Sequence, residues 1–187
     1  MNSTASQRTV NQYEAAQRPL AEVIDAVPAD AWTSPSPCEG WTARDVVRHL
    51  IETQREFFTG RGLALGDPPD IDADPAQGWR NHAERVRQVI SDDAVPAIAY
   101  DGYFGPTTLG ATLEQFYVWD MYVHRWDIAQ SAGLAAALTD AELDRIEQGA
   151  DSFGAALYMD GICRSGAQAP AAASRLVHLL ARLGRVA

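Results

Sequence analysis

The feature that most restricts the fold is a succession of apolar stripes at helical spacing, separated by proline- and glycine-rich sequence, with almost no strand-like alternation. In the first stripe Val10, Tyr13, Ala16, Leu20, Val23, Ile24 and Val27 predict an amphipathic helix over about 7–27, which Pro19 should bend or restart. Pro28, Pro35, Pro37 and Gly40 mark 28–41 as a loop, and Thr42 with Asp45 offers a capping-box start for a second helix over 42–59. The stretch 60–75 reads as a long surface connection; Asp74 and Pro75 then place an N-cap and a first-turn proline at the start of a third helix over 75–91. Residues 100–106 are too turn-rich for a helix and suit an extended arm or small hairpin. The fourth and longest helix should run from Thr107 or Thr108 to Ser131, with Gly133 as its stop. Thr139 and Glu142 form a capping box for a helix reaching about Tyr158, and Leu176, Val177, Leu179, Leu180 and Leu183 give a last apolar side over 171–183. Helices with so little strand between them argue for an all-α bundle, an architecture that builds ligand and metal sites from facing helices.

At 187 residues and 47% hydrophobic composition the chain can bury the core of one domain, expected to cover 1–187 without disulfide or metal staples. All 15 cationic residues are arginines; set against 25 acids they leave a formal charge of −10, a poor match for a phosphate backbone, so no nucleic-acid partner is expected. Residues Met1 to Arg8 lack the apolar core of a signal peptide, and no stretch approaches the roughly 20 apolar residues of a membrane span. A cytoplasmic location and no membrane partner are therefore expected. Cys38 and Cys163 lie far apart and match neither a redox pair nor a zinc knuckle, so reduced thiols are the expectation.

The residues that could carry chemistry lie on the fourth helix. Asp120 and His124 are one helical turn apart, which stacks them on one face with Cβ atoms roughly 5–6 Å apart, close enough to share a divalent cation. Asp127 shares that face. A third ligand must come from another helix, and His49, set among Val46, Val47, Leu50 and Ile51 on the second helix, is the natural candidate. Two imidazoles and one carboxylate with open positions form a catalytic rather than a structural ligand set, suited to Zn, Ni, Fe or Mn. The same spacing is also that of an ordinary surface helix pair, and a histidine on an apolar stripe is often a hydrogen-bonded core residue. His82 and His178 are read in that second way, as surface or helix-packing residues.

Three segments carry a resemblance. Residues 31–50, AWTSPSPCEGWTARDVVRHL, resemble the W-x-x-P-x-P-C-x-x-W-x-[VA]-R-D-[LV]-V-x-H-L signature of the DinB-like superfamily, in its actinobacterial mycothiol-dependent maleylpyruvate isomerase branch. Residues 120–133, DMYVHRWDIAQSAG, are similar to that branch's D-x-x-V-H-x-W-D-L-A-x-A-x-G, and 175–185, RLVHLLARLGR, resemble its R-L-L-A-x-x-G-R tail with a few extra residues. The resemblance implies a DinB-like four-helix bundle with additional short helices, in which His49, Asp120 and His124 bind a divalent metal. Asp120 stands where three-histidine members have His and the isomerase has Glu. The separate C-terminal domain of the full-length isomerase is not expected in this sequence.

Among the remaining motif residues, Cys38 and Trp41 are expected to pack the loop against the bundle. Asp127 is expected to orient a ligand histidine from behind, or to pair with Arg125 or Arg44. Glu52 is a fallback fourth ligand, more simply read as a solvated charge, and Tyr103, Phe104, Tyr117, Tyr122 and Trp126 could line a pocket or fill the core. The leading functional expectation is a metalloenzyme whose cation lowers the pKa of a bound thiol or water, with mycothiol as the co-substrate the resemblance implies and a small molecule as substrate. A second reading keeps the bundle as a small-ligand binding module with weak or no metal. A third, an interaction protein forming a homodimer, requires a solvent-facing apolar stripe.

Overall fold

The computed structural model describes residues 5–159, 162–164 and 166–185, and the reading of Met1 to Thr4 as part of a leaderless start lies outside them. It is an all-α bundle with one small hairpin. Helices α1 (Ala5–Ala26), α2 (Ala43–Thr59), α3 (Pro75–Ile90) and α5 (Trp119–Ser131) form a closed ring in which α1 and α2 each lie against both α3 and α5. The short α4 (Leu109–Thr112) leads into α5 through a π-helical stretch, Leu113–Val118. Helix α6 (Asp140–Phe153) packs on α5 and α7 (Arg175–Arg182) packs on α6, and no helix among the described residues is long and apolar enough to cross a membrane.

The helix starts follow the side chains that satisfy first-turn N–H groups. Reciprocal capping boxes form at Thr42 with Asp45 and at Thr139 with Glu142, and Asp74 accepts from the Gln77 N–H ahead of α3. Two predicted helices are shorter than expected. Ser174 caps α7 by accepting from Val177 N–H, while the preceding alanines sit in a turn closed by Ala173 N–H to Pro170 O. Glycine at 154, with φ of 53°, ends α6 and tightens the chain into a 3₁₀ turn to Tyr158.

The proline expected to restart the first helix does neither that nor end it, since α1 runs through Pro19 without a break. Its missing N–H leaves only the Ala15 carbonyl without an intrahelical donor, and Ala15 is exposed, so water can take its place. Packing of Tyr13, Ala16, Leu20 and Ile24 into the core then holds the two halves together as one helix. The stretch 99–108 is the small hairpin: β1 (Ala99–Gly102) pairs antiparallel with β2 (Gly105–Thr108), Gly102 opposite Gly105, with Tyr103 and Phe104 at the turn.

Helix α5 is buried on nearly every side, including the polar His124, Arg125 and Asp127. Arg125 is compensated by a two-pronged pair, donating to both carboxylate oxygens of Glu142 at 2.9 and 2.7 Å. At the α5–α6 contact the Trp119 indole donates to Ile146 O at 2.9 Å, over the space that the missing side chain of Gly149 leaves. His82, by contrast, is a core residue. Its Nε2 lies 3.0 Å from Gln54 Oε1, which also accepts from the Tyr13 hydroxyl at 3.0 Å.

Burial pushes the His82 imidazole down to about 3, aided by the nearby Arg55 charge. The folded protein thus keeps His82 neutral where the unfolded chain, at its ordinary 6.5, would protonate it. Stability from this group is complete above about pH 6.5 and is lost as pH falls toward 3, at up to about 1.4 kcal/mol per unit. Urea unfolding of wild type and His82→Gln at a series of pH values between these limits should show a shallower fall in the variant; parallel curves would refute the assignment.

Candidate metal centre

The site lies where α2, α5, the loop before α2 and the chain after α7 converge. Helix α2 presents His49 from a turn whose apolar residues, Val46, Val47, Leu50 and Ile51, are buried in the core, while half-buried Arg48 turns to Asp72 and the half-buried imidazole reaches Asp120 on α5. Helix α5 presents Asp120 and, one turn later, His124. Asp120 bridges the two rings: its Oδ2 is 3.4 Å from His49 Nε2 and its Oδ1 is 3.2 Å from His124 Nε2. The loop from Pro35 to Thr42, closed by a β-bridge between those two residues, lays Trp41 over the pair, 4.8 Å between centroids from His49 and 6.3 Å from His124.

Behind His124 stands Asp127, fully buried. Its Oδ2 is 2.8 Å from His124 Nδ1, and it accepts from Arg185 Nε at 2.9 Å and Nη2 at 2.7 Å. Burial opposes the Asp127 charge, but the bonds to His124 and Arg185 outweigh it and hold the carboxyl down to about 2. An ionised carboxylate has no proton to give, so the Nδ1 of His124 must carry the hydrogen and Nε2 is the nitrogen turned toward Asp120 and His49. Burial likewise works against charge on Asp120 and on His124. Their mutual attraction, with His49 assisting Asp120 and with Asp127 and Cys38 assisting His124, holds Asp120 well below the usual carboxylate range and His124 well above the usual imidazole range.

Two groups of donor atoms fall within 4.8 Å of one another: His49, Asp120 and His124, and Cys38, His124 and Asp127. Ligands about 2.0–2.2 Å from one cation stand about 3.0–3.5 Å apart, which the 3.2 and 3.4 Å separations around Asp120 match. The second group does not fit a cation. The Arg185 guanidinium already serves two of its three members, 2.7 Å from Asp127 Oδ2 and 3.7 Å from Cys38 Sγ. Only the first group opens on the cleft through all three side chains. The cleft measures about 1460 Å³ and is lined by His49, Asp120 and His124 together with the hairpin.

His49, Asp120 and His124 are thus brought together, with Asp127 behind His124. The partner of Asp127 is neither Arg125, which serves Glu142, nor Arg44, which lies by Asp72, but Arg185. Glu52 is exposed and does not line the cleft. Tyr103, Phe104 and Tyr117 line it, whereas Tyr122 and Trp126 are buried in the bundle away from it. Cys38 does more than pack the loop: its thiol donates to Asp127 Oδ2 at 3.4 Å and lines the cleft together with Cys163. Arg185 was legible only as the last residue of the tail motif, since no spacing rule links it to Asp127 across 58 positions.

Residues 13–59 match the family described as the mycothiol maleylpyruvate isomerase N-terminal domain, so the resemblance read from the motifs is found again by comparison. The chain is also 25% identical over 142 residues to the uncharacterized protein Rv0036c of Mycobacterium tuberculosis (strain ATCC 25618 / H37Rv), covering 64% of this chain and 54% of that protein. It is 25% identical over 143 residues to the uncharacterized protein Rv0738 of the same strain, covering 70% of each. The chain therefore spans about half the length of the first of these relatives. No solved structure matches it.

Arg185→Met should leave Asp127 a buried charge with only the His124 ring and the Cys38 thiol beside it, at a cost of about 3 kcal/mol or more in chemical denaturation. Asp127→Asn combined with Arg185→Met should cost less than the sum of the two single changes. Additive losses would show that the two groups are not coupled.

Proposed function

We propose that the protein is a divalent-metal-dependent enzyme of the DinB-like, mycothiol-dependent maleylpyruvate isomerase type, acting on a small molecule through an activated thiol or water. The observation that carries this reading is the convergence of two imidazoles and one carboxylate on the lining of an open cleft, at separations that suit one cation. The match of residues 13–59 to the isomerase's N-terminal domain supports the same chemistry, because His49 lies within the matched segment.

His49, Asp120 and His124 would hold the metal, and a bound divalent ion supplies Lewis acidity that lowers the pKa of a coordinated thiol or water. The chain's own residues do the rest. Asp127 fixes the tautomer of His124 and, clamped by Arg185, keeps the ring from turning. Trp41 covers the imidazoles from the loop side and limits water on that face. The cleft's volume of about 1460 Å³ leaves room for both a thiol and a second small reactant.

Because Asp120 draws a proton onto His124, metal uptake must displace that proton, and affinity should decline as pH is lowered through the neutral range. The test is elemental analysis of untagged protein together with a zinc titration. Near-stoichiometric metal that is lost in His124→Ala, binding weakened at least tenfold in Asp120→Asn, and proton release on zinc addition are the expected results. Folded protein that takes up no Zn, Ni, Fe or Mn would overturn the metalloenzyme and leave a metal-free binding cleft.

A further inference from the structure

The cleft has a second cationic feature besides the histidines. Three arginines line it. Arg185 is committed to Asp127, and Arg164 is paired with Glu39. Arg61 has no carboxylate partner among the described residues, in a protein where acids outnumber arginines 25 to 15 and most arginines are paired.

Arg61 is nevertheless held in one place. Its guanidinium carbon lies 4.2 Å from the ring centroid of Phe57 and 4.2 Å from that of Tyr100, so α2 supports it on one side and β1 on the other. Its Nη1 donates to Phe57 O at 2.8 Å. Its Nε is buried and has no acceptor. That nitrogen lies out of a ligand's reach, but Arg61 as a whole is half-buried and lines the cleft without a counter-charge, and a positioned guanidinium in that state is matched by an anion from outside the chain. Arginine held against aromatic faces keeps its hydrogen-bonding edge free for a planar anion, and a carboxylate is the group that edge fits best.

The rest of the cleft indicates what the carboxylate is attached to. Among the described residues, the exposed large apolar side chains are Ile98, Tyr103, Phe104, Tyr158, Met159 and Ile162, and all but Ile98 line this one cleft. Scattered exposed apolar residues need no explanation, but a set concentrated around one cavity marks a binding surface. Phe104, Phe116 and Phe153 present near-parallel rings there, 5.2 to 6.5 Å apart. The hairpin joins the two features, since Tyr100 on β1 packs on Arg61 and Phe104 at its turn belongs to the aromatic wall.

We propose that Arg61 is a carboxylate-binding residue and that the cleft takes an amphipathic organic acid, its carboxylate on Arg61 and its apolar or aromatic body against the wall around Phe104, Phe116 and Phe153. This rests on the reading of the cleft as the substrate site but not on the metal. The test therefore uses full-length, EDTA-treated protein with 4-phenylbutanoate as probe and 4-phenylbutanamide as its neutral counterpart, followed by calorimetry. The acid should bind at least tenfold more tightly than the amide, and its affinity should fall with added salt. Arg61→Gln should bring the acid down to the affinity of the amide, and Arg61→Lys should restore part of the difference. The comparison of acid with amide and the salt series use wild type alone, so they stand even if a variant fails to fold. Equal affinities for the two probes, unchanged acid binding in Arg61→Gln, or no saturable binding of either would overturn the proposal. Acid binding seen only after zinc is added would overturn it too, by placing the carboxylate at the histidines while leaving the metal reading intact. Arg61-dependent binding in protein that takes up no metal would support it and discard the metal reading instead.

Discussion

A carboxylate with no exposure to water has to be matched by charge and hydrogen bonds, and Asp127 meets that demand with groups drawn from three separate parts of the chain. Its oxygens take the Arg185 guanidinium beyond α7, the His124 ring one turn back on α5 and the Cys38 thiol from the loop before α2. The desolvation cost of such a charge is several kcal/mol, so none of these groups is free to leave alone. The interaction thus locks the end of the described chain, the central helix and the entry loop into a single arrangement around His124. Gly184, with φ of 76°, makes the turn that sends Arg185 back inward; a side chain there would strain the backbone and press on Arg164.

The second constraint is the path of the chain into α5. A π-helical stretch from Leu113 to Val118 ends immediately before Trp119 and Asp120, so the turn that carries Asp120 is rotated relative to what an unbroken α-helix from Thr108 would give. Close packing fixes the upstream end, where Gly110 lies against Thr9 and Pro96, and Thr9 donates to Glu114 at 2.9 Å. The Trp119 indole fixes the downstream end against α6. A wider turn that holds an extra residue between two anchored ends is how the helix satisfies both contacts.

These features divide what the sequence makes legible from what it does not. Helices, caps and the hairpin depend on neighbours a few residues apart, so Thr42, Asp74 and Thr139 announce their helix starts directly. The group of His49, Asp120 and His124 was accessible because one half of it is a single helical turn and the other half lies on a separate, strongly amphipathic helix. The partner of Asp127 was not accessible. A buried acid demands a cation, but the sequence near it offers Arg125 and the wrong one would be chosen, since Arg125 turns to Glu142. The π-helical stretch was equally hidden, because the contacts that anchor it and its flanks, with α1 on one side and α6 on the other, join residues far apart in sequence. Pro19 misled in the other direction: its local penalty is real, but an exposed carbonyl and a well-packed helix face absorb it.

Asp120 and Asp127 show how surroundings, rather than residue type, divide the work between two acids on one helix. They flank His124 one turn before and one turn after, and each reaches a different ring nitrogen. Asp127 is sealed from water and its charge is already spent on Arg185, so it can steady the ring but has little left to offer a cation. Asp120 is half-buried, has no arginine against it among the described residues, and faces two imidazole nitrogens and the cleft. A cation entering from the cleft would meet an acid whose only compensation is those two rings, the very groups that would turn to the ion with it. Exchanging the surroundings of the two carboxylates would therefore exchange their roles, and the side chain that decides between them is Arg185.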